Sequence, residues 1–354
     1  MSKLGAYIAS TVGGSILLVL LLVVGLDIVA AIVDQLGDLR GDYTFAQAIY
    51  YVLLTVPGSV YEYVPLSALI GSLVGMGMLA SNSELIVMRA SGRSLARLAE
   101  YCCRPVILIV IASMLIGEFV SPYTDKWAKT HKDLRLWGAS HSLVSGRSGL
   151  WHREGDTFLH LSVVQPGGVL YGVTLFEFNG DDLSRALWAQ RATYSGDSWL
   201  LEDIRETRFE GNSVSSASAT TRTWQSELTP RSLNFLVNEP NELALRSLDD
   251  YSRYLDAQGL DAAPFRLAFW QKSLQPVAVF SLVLIALSFV FGPLRSATMG
   301  FRVFTGIVVG IAFQFAQNLL GPASLIYGFP PLLAVLMPIG VCALGGLLML
   351  SRGS

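Results

Sequence analysis

The sequence predicts an α-helical membrane protein: six transmembrane helices interrupted by one inserted all-β domain. Three observations predict it. Apolar residues make up 52% of the 354 and charged residues only 15%, with a mean hydropathy of +0.49, more than the surface of a soluble fold of this length tolerates. Three apolar stretches long enough to cross a bilayer lie on each side of a polar insert of about 140 residues. Within the insert the hydrophobic period changes from helical to alternating.

The spans fall at Ile8 to Val33, Val64 to Leu79, Pro105 to Val120, Pro276 to Phe291, Gly300 to Leu320 and Pro330 to Leu350. The first apolar run, from Tyr7 to Val33, contains only Asp27 as a charge and is too long for a signal-peptide core, so it is expected to stay attached. Residues 1–121 then carry spans one to three, 122–262 the insert, and 263–354 spans four to six. Pro105 and Pro122 bracket span three, and Pro276 and Pro293 bracket span four, as kinks or ends.

The basic residues alternate with the linkers. Arg89, Arg93, Arg97 and Arg104 lie between spans two and three, Arg295 and Arg302 between four and five, Arg352 after six and Lys3 before one. The first linker carries Asp34, Asp38, Asp42 and only Arg40, and the fifth has no Lys or Arg. The positive-inside rule therefore places both termini in the cytoplasm and the insert outside.

In the insert, Thr157 to Val163, Val169 to Phe178, Ala186 to Tyr194, Trp199 to Ile204 and Ser213 to Trp224 read as strands. They are separated by turn signals at Pro166-Gly167-Gly168, Asn179-Gly180-Asp181 and Gly211-Asn212, which suggests an antiparallel sandwich or open barrel. Trp151, Phe158, Phe176, Phe178, Trp188, Trp199, Phe209 and Trp224 either line a groove there or make up its core. A return helix is expected near Ser247, with Leu248, Tyr251, Tyr254 and Leu255 at helical spacing.

Between spans two and three, Ser81 to Gly92 reads as one short helix. Ser81 and Glu84 have capping-box spacing, and Gly92 suits the left-handed position after the last turn. Leu85 and Met88 share a face, with Glu84 and Arg89 available for ion pairs. Two readings stay open: an element that receives a push from a soluble motor, or a helix that packs on lipid headgroups. Beyond span three, Lys126, Lys129 and Lys132 recur every third residue and are followed by Arg135. They form a basic ridge where a phosphorylated headgroup would meet the protein, or a solvated face partly neutralised by Asp125 and Asp133.

Other chemistries find little support. Nucleic-acid binding would need a continuous basic face, and the net charge is −2. Cys102, Cys103 and Cys342 lie in or beside apolar spans and form no disulfide framework. His131, His141, His152 and His160 lack a metal-ligand pattern, and no nucleophile triad stands out. Glu62 and Glu118 lie near span ends, and Asp27 is either functional or tolerated through a neighbouring helix. No lysine sits in a phosphate-binding Gly-Lys-Ser/Thr loop, so ATP hydrolysis is not expected of this chain.

Six motifs spread along the chain carry a family resemblance: VDQL at Val33 to Leu36, TVPGSVYEYVPLSALIGSLVGMGMLA from Thr55, SELIVMRASG from Ser83, IGEFVSP from Ile116, SFVFGPLRS from Ser288 and YGFPP from Tyr327. Together they closely resemble the lipopolysaccharide-export permeases, and within that family the G-type branch more than the F-type. The resemblance implies a Gram-negative inner-membrane subunit with a β-jellyroll-like periplasmic insert. It implies four partners: an F-type paralogue, a dimeric cytoplasmic ATPase that uses ATP and Mg²⁺, a single-span C-type protein with a periplasmic β domain, and lipopolysaccharide as substrate. It makes SELIVMRASG the coupling helix, with Glu84, Leu85, Met88, Arg89 and Gly92 as coupling residues. The resemblance also turns Lys129 and Lys132 toward lipid A phosphates, with Lys126 and Arg135 beside them. Some relatives carry lysines near the outer end of span one, where this chain has Ala31, Gly37 and Asp38, and Arg40 is the substitute. No cofactor is expected on this chain. The alternative is a scaffold or mechanotransmission subunit of an ATPase complex that moves no lipid.

Overall fold

The computed structural model describes residues 3–353 apart from 41, 93, 138–149, 166–168, 181, 212, 227, 231–232, 234–239, 258–260 and 293–296. Six helices are long and apolar enough to cross a membrane. Span one is α1 (Lys3–Leu36) and span two α2 (Phe45–Ser81), followed by the short α3 (Glu84–Ala90). Span three joins α4 (Leu95–Leu115), a π-helical turn (Ile116–Val120) and α5 (Ser121–Trp137). The return helix α6 (Leu245–Ala257) precedes α7 (Ala263–Phe291), α8 (Met299–Tyr327) and α9 (Pro331–Gly353), which are spans four to six. Each helix outruns its apolar stretch, because an unpaired backbone group in hydrocarbon costs several kcal/mol and the hydrogen-bond ladder continues until water can replace it.

The prolines do not end these helices. Pro105 and Pro276 lie inside α4 and α7, and Pro122 is the second residue of α5; Pro293 lies outside the described residues. Pro122 has no N–H to give the Glu118 carbonyl and its ring crowds that turn. The chain answers by widening: the Ser121 N–H reaches back five residues to the Ile116 carbonyl, which is the π turn.

The chain divides into two compact units, one comprising Met1–Val33, Thr55–Thr124 and Leu243–Ser354, the other Asp34–Leu54 and Asp125–Glu242. In the helical unit α2 and α7 are the inner spans, 67% and 61% of their most apolar windows being buried, against 17% for α1. Ile8, Val12 and Ile16 of α1, Leu69 and Leu73 of α2, Leu98 of α4 and Val283 of α7 belong to one core. The return helix, which the sequence reading grouped with the insert, packs in this unit; Leu248, Tyr251 and Leu255 are buried and Tyr254 is exposed.

The second unit contains β1 (Leu150–Glu154), β2 (Thr157–Gln165), β3 (Val169–Asn179), β4 (Asp182–Ser195), β5 (Ser198–Glu210) and β6 (Ser213–Trp224). They pair antiparallel in chain order as one sheet. Two separate sheets are therefore absent among the described strands. The expected strands β2 to β6 are all present; β1 was not foreseen, and the turn at 166–168 lies outside the described residues.

One row of this sheet, Ser162, Gly172, Gln190, Asp203 and Thr220, makes no ladder pairs, although the register continues on both sides of it. Gly172 and Asp203 in that row have φ of +63° and +54°, left-handed values that break the alternation of a strand. Burial changes phase there. On one side Leu175, Val173, Leu187, Ala189 and Ile204 are buried; past the row it is Leu170, Ala192, Leu201 and Trp199. The sheet therefore folds along this row, so that opposite pleats of its two halves turn inward together. Arg222 meets Glu206 at 2.8 Å although Glu206 pairs with Ala217, as such a fold requires.

The core of this unit is aliphatic apart from Trp199 and the Tyr194 and Trp224 side chains packed against it. Trp199 is fully buried, its indole N–H donating to the Leu228 carbonyl at 2.7 Å, and Trp224 packs beside it. Trp151 is 60% exposed and stacks on Phe176 at 6.0 Å. Phe158 and Phe176 oppose each other on the pleat facing away from Leu159 and Leu175. Most of the aromatic residues are thus neither core nor inner lining.

Candidate functional site

Seven residues do not make a stable helix in isolation, and α3 exists because its side chains are anchored. Leu85 and Met88 share a face, as their spacing predicts, and that face is turned into the helical core. The apolar pair left bare is Ile86 and Val87, 51% and 67% exposed. Two chain reversals bracket the helix: Ser83 at φ +61° and Gly92 at φ +84°. The capping box does not form. Ser81 is the last residue of α2 and its hydroxyl donates to the Met78 carbonyl, while the Ser83 carbonyl receives the first N–H groups of α3, from Ile86 and Val87. Glu84 accepts from the Tyr7 hydroxyl of α1 at 3.4 Å. The Arg89 side chain lies outside the described residues.

The ridge on α5 is partly covered. Lys126 and Lys129 are half-buried and Arg135 is exposed. Lys132 donates to Asp38 at 2.8 Å and lies over the rings of Tyr51 and Tyr43, 5.0 and 5.8 Å from their centroids. Lys132 is thereby tied to the segment linking spans one and two, which also holds exposed Arg40. The Asp38 carboxyl is held below the ordinary carboxylate range, first by the Lys132 hydrogen bond. Burial, helped by nearby Tyr51 and Asp38, pushes the Tyr43 hydroxyl up to about 12, so it remains a donor at neutral pH and binds Gln35 at 3.0 Å. The Asp133 side chain lies outside the described residues.

A second polar group was not foreseen in the sequence. Glu118, carried by the π turn, accepts the backbone N–H groups of Leu245 at 2.7 Å and Arg246 at 3.4 Å, capping α6 from another helix. Lys272 of α7 is 8% exposed, donates to the Leu243 carbonyl at 2.7 Å and lies over Tyr61. Gly117 lets Tyr61 approach: a Cβ there would sit 2.4 Å from its ring. These groups wall a cavity of about 270 Å³ with Ile111, Met114 and Leu115. The available signal was Lys272 itself, a lysine four residues before an apolar run. Asp27 accepts from the Tyr63 hydroxyl of α2 at 2.9 Å, so a neighbouring helix supplies the partner of this carboxylate.

Comparison with known proteins agrees with the motifs. The model of the family described as lipopolysaccharide export system permease LptF/LptG matches residues 6–352. The chain is similar to the lipopolysaccharide export system permease protein LptG of Escherichia coli K12, 35% identical over 99% of this chain and 98% of the relative. It is similar also to the LptG of Haemophilus influenzae, 32% identical over 96% of this chain and 95% of the relative. With six spans, an inserted β unit and matches of that extent, the chain belongs to the lipopolysaccharide export permease family, LptF/LptG.

Proposed function

We propose that this multi-pass inner-membrane chain is the G-type permease subunit of an ATP-driven exporter. It takes lipopolysaccharide from the outer leaflet of the inner membrane and passes it to a periplasmic β bridge. The observation that carries the reading is the setting of α3. Leu85 and Met88 lock it into the same core as the spans while Ile86 and Val87 stay bare, so a load applied to the bare face is delivered to the bundle. The charge bias of the linkers supports the orientation proposed, with α3 and both termini cytoplasmic and the β unit periplasmic.

The partners are those the family resemblance implies: an F-type paralogue, a dimeric cytoplasmic ATPase seated on α3, and a single-span C-type protein whose β domain continues the path. ATP and Mg²⁺ are used by the ATPase, and this chain holds no cofactor. Energetics call for such an arrangement. Each methylene moved from lipid into water costs about 0.8 kcal/mol, so several acyl chains cost tens of kcal/mol and the path must stay apolar. Lys126, Lys129, Lys132, Arg135 and Arg40 serve the phosphates of the substrate, and a phosphate reaching Lys132 competes with Asp38.

Glu84→Lys tests the reading. The expected outcome is a complex that loses its ATPase, or one that retains it with lipid-stimulated hydrolysis lowered about tenfold. Wild-type assembly together with wild-type stimulation would remove the coupling role.

A further inference from the structure

Arg302 is 1% exposed, although it lies in the first turn of α8, where the helix dipole disfavours a cation. Its guanidinium leaves its own helix and donates from Nη1 to the Gly77 carbonyl of α2 at 2.6 Å. Gly77 stands in the last turn of α2, where a cation is favoured, and only Asn82 and Ser83 separate α2 from α3. Gly77 also makes the room: a Cβ there would lie 2.8 Å from Nη1 and 3.0 Å from Cδ of Arg302. A buried guanidinium on a backbone carbonyl at a site without a side chain is a specific fit, not a tolerated charge.

The same two helices are close-packed above that point. A Cβ on Gly306 or Gly310 of α8 would lie 2.7 Å from Leu73 Cδ1 or 2.2 Å from Leu66 Cδ1 of α2. On the other side of α2, a Cβ on Gly71 or Gly75 would lie 2.4 Å from the Ile16 Cα or 2.9 Å from the Val12 Cα of α1. Both are small-xxx-small contacts that bring helix backbones together. Span two is therefore gripped by span one on one side and by span five on the other.

Building on the motor-coupled reading above, we propose that Arg302 is a positioning residue that pins span five to the base of α3, so that spans one, two and five move with α3 as one body. The glycine contacts lock the length of the three helices, and the Arg302–Gly77 bond locks the end that receives the load. Without it, a push on α3 tilts span two while the first turn of span five lags behind.

The test uses the complete complex, with its permease partner and ATPase, in vesicles containing lipopolysaccharide. Arg302→Met removes the guanidinium and keeps the stem; Gly77→Ala displaces the guanidinium while leaving Arg302 in place. Both are expected to assemble and hydrolyse ATP near the wild-type rate while lipid released per ATP falls about fivefold or more. Because both disrupt the Arg302–Gly77 bond, adding Gly77→Ala to Arg302→Met is expected to lower the ratio no further. Arg302→Lys, which keeps the charge, is expected to assemble with a partial loss of the ratio. An unchanged ratio in both single variants, a parallel fall of hydrolysis and release, additive losses in the double variant, or failure of all variants including Arg302→Lys to assemble would each overturn the pin. A wild-type complex that releases no lipid on ATP would overturn the exporter reading as well, which separates the two failures.

Discussion

Three guanidiniums share one carboxylate in the β unit. Glu206 is 9% exposed and accepts from Arg208 at 2.6 Å and Arg222 at 2.8 Å, with Arg185 at 3.7 Å; Arg185 also holds Glu177. The Arg208 hydrogen bond, ahead of the charges of Arg222 and Arg185, keeps the Glu206 carboxyl below the ordinary glutamate range. A depressed carboxylate stabilises above its unfolded pKa of about 4.3 and loses that contribution as pH falls through the lower folded value. The melting temperature of the β unit is thus expected to stay level from neutral pH to about 5 and to fall below 4, and Glu206→Gln is expected to flatten that acid limb. At neutral pH the same substitution is expected to cost only about 1 kcal/mol, because Arg208 and Arg222 are half-exposed, as denaturant titration of the variant would show. At this scale the spacing of Lys126, Lys129 and Lys132 was legible because helical periodicity is local. The cover over Lys132 was not: Asp38 is 94 positions away, and the fold alone brings them together. Leu85 and Met88 were assigned the right helix face, while the direction of that face depended on spans distant in sequence.

All six spans were legible, because a bilayer accepts only a continuous apolar run with its backbone bonds satisfied internally. Their ends were not, since the polar extensions are held by tertiary contacts: Lys272 belongs to α7 through the Leu243 carbonyl. The strands β2 to β6 announced themselves by alternation and turns, whereas β1, five residues with Trp151, His152 and Arg153 at its centre, carries no such pattern. Ser81 misled as a cap because a serine followed three residues later by glutamate fits either the end of one helix or the start of the next; the left-handed Ser83 decides between them. The π turn has a testable role at this scale. Glu118→Ala leaves two first-turn amides of α6 without their acceptor, for which about 1 kcal/mol is expected. Hydrogen exchange at Leu245 and Arg246 is expected to speed up about fivefold, with the buried middle of α7 unaffected.

Across the whole molecule, the apolar–polar–apolar order of the chain foretold six spans with a β insert between the third and the fourth, and nothing local foretold how the sheet bends. An alternating strand pattern gives the same signal on both sides of Gly172 and Asp203, so the change of buried phase is visible only in three dimensions. The exporter reading makes a prediction that belongs at this scale. With photo-reactive residues at Lys129 and at Tyr194, which packs against the inner core of the β unit, lipid is expected to label position 129 with or without ATP and position 194 only with ATP. Labelling at 194 without nucleotide, or none at either site, would argue against an energised handover. The unpaired row across the sheet also has a mechanical consequence. A continuous ladder stiffens a sheet against bending across its strands, but here the two leaves meet along a line held by the strand backbones and by the Ser162 hydroxyl on the Gly172 carbonyl at 3.1 Å. Widening the gap between the leaves keeps the backbone ladders intact but parts the Arg222–Glu206 bond at 2.8 Å and opens the apolar core they share, so a bulky guest enters this module only by replacing those contacts with its own.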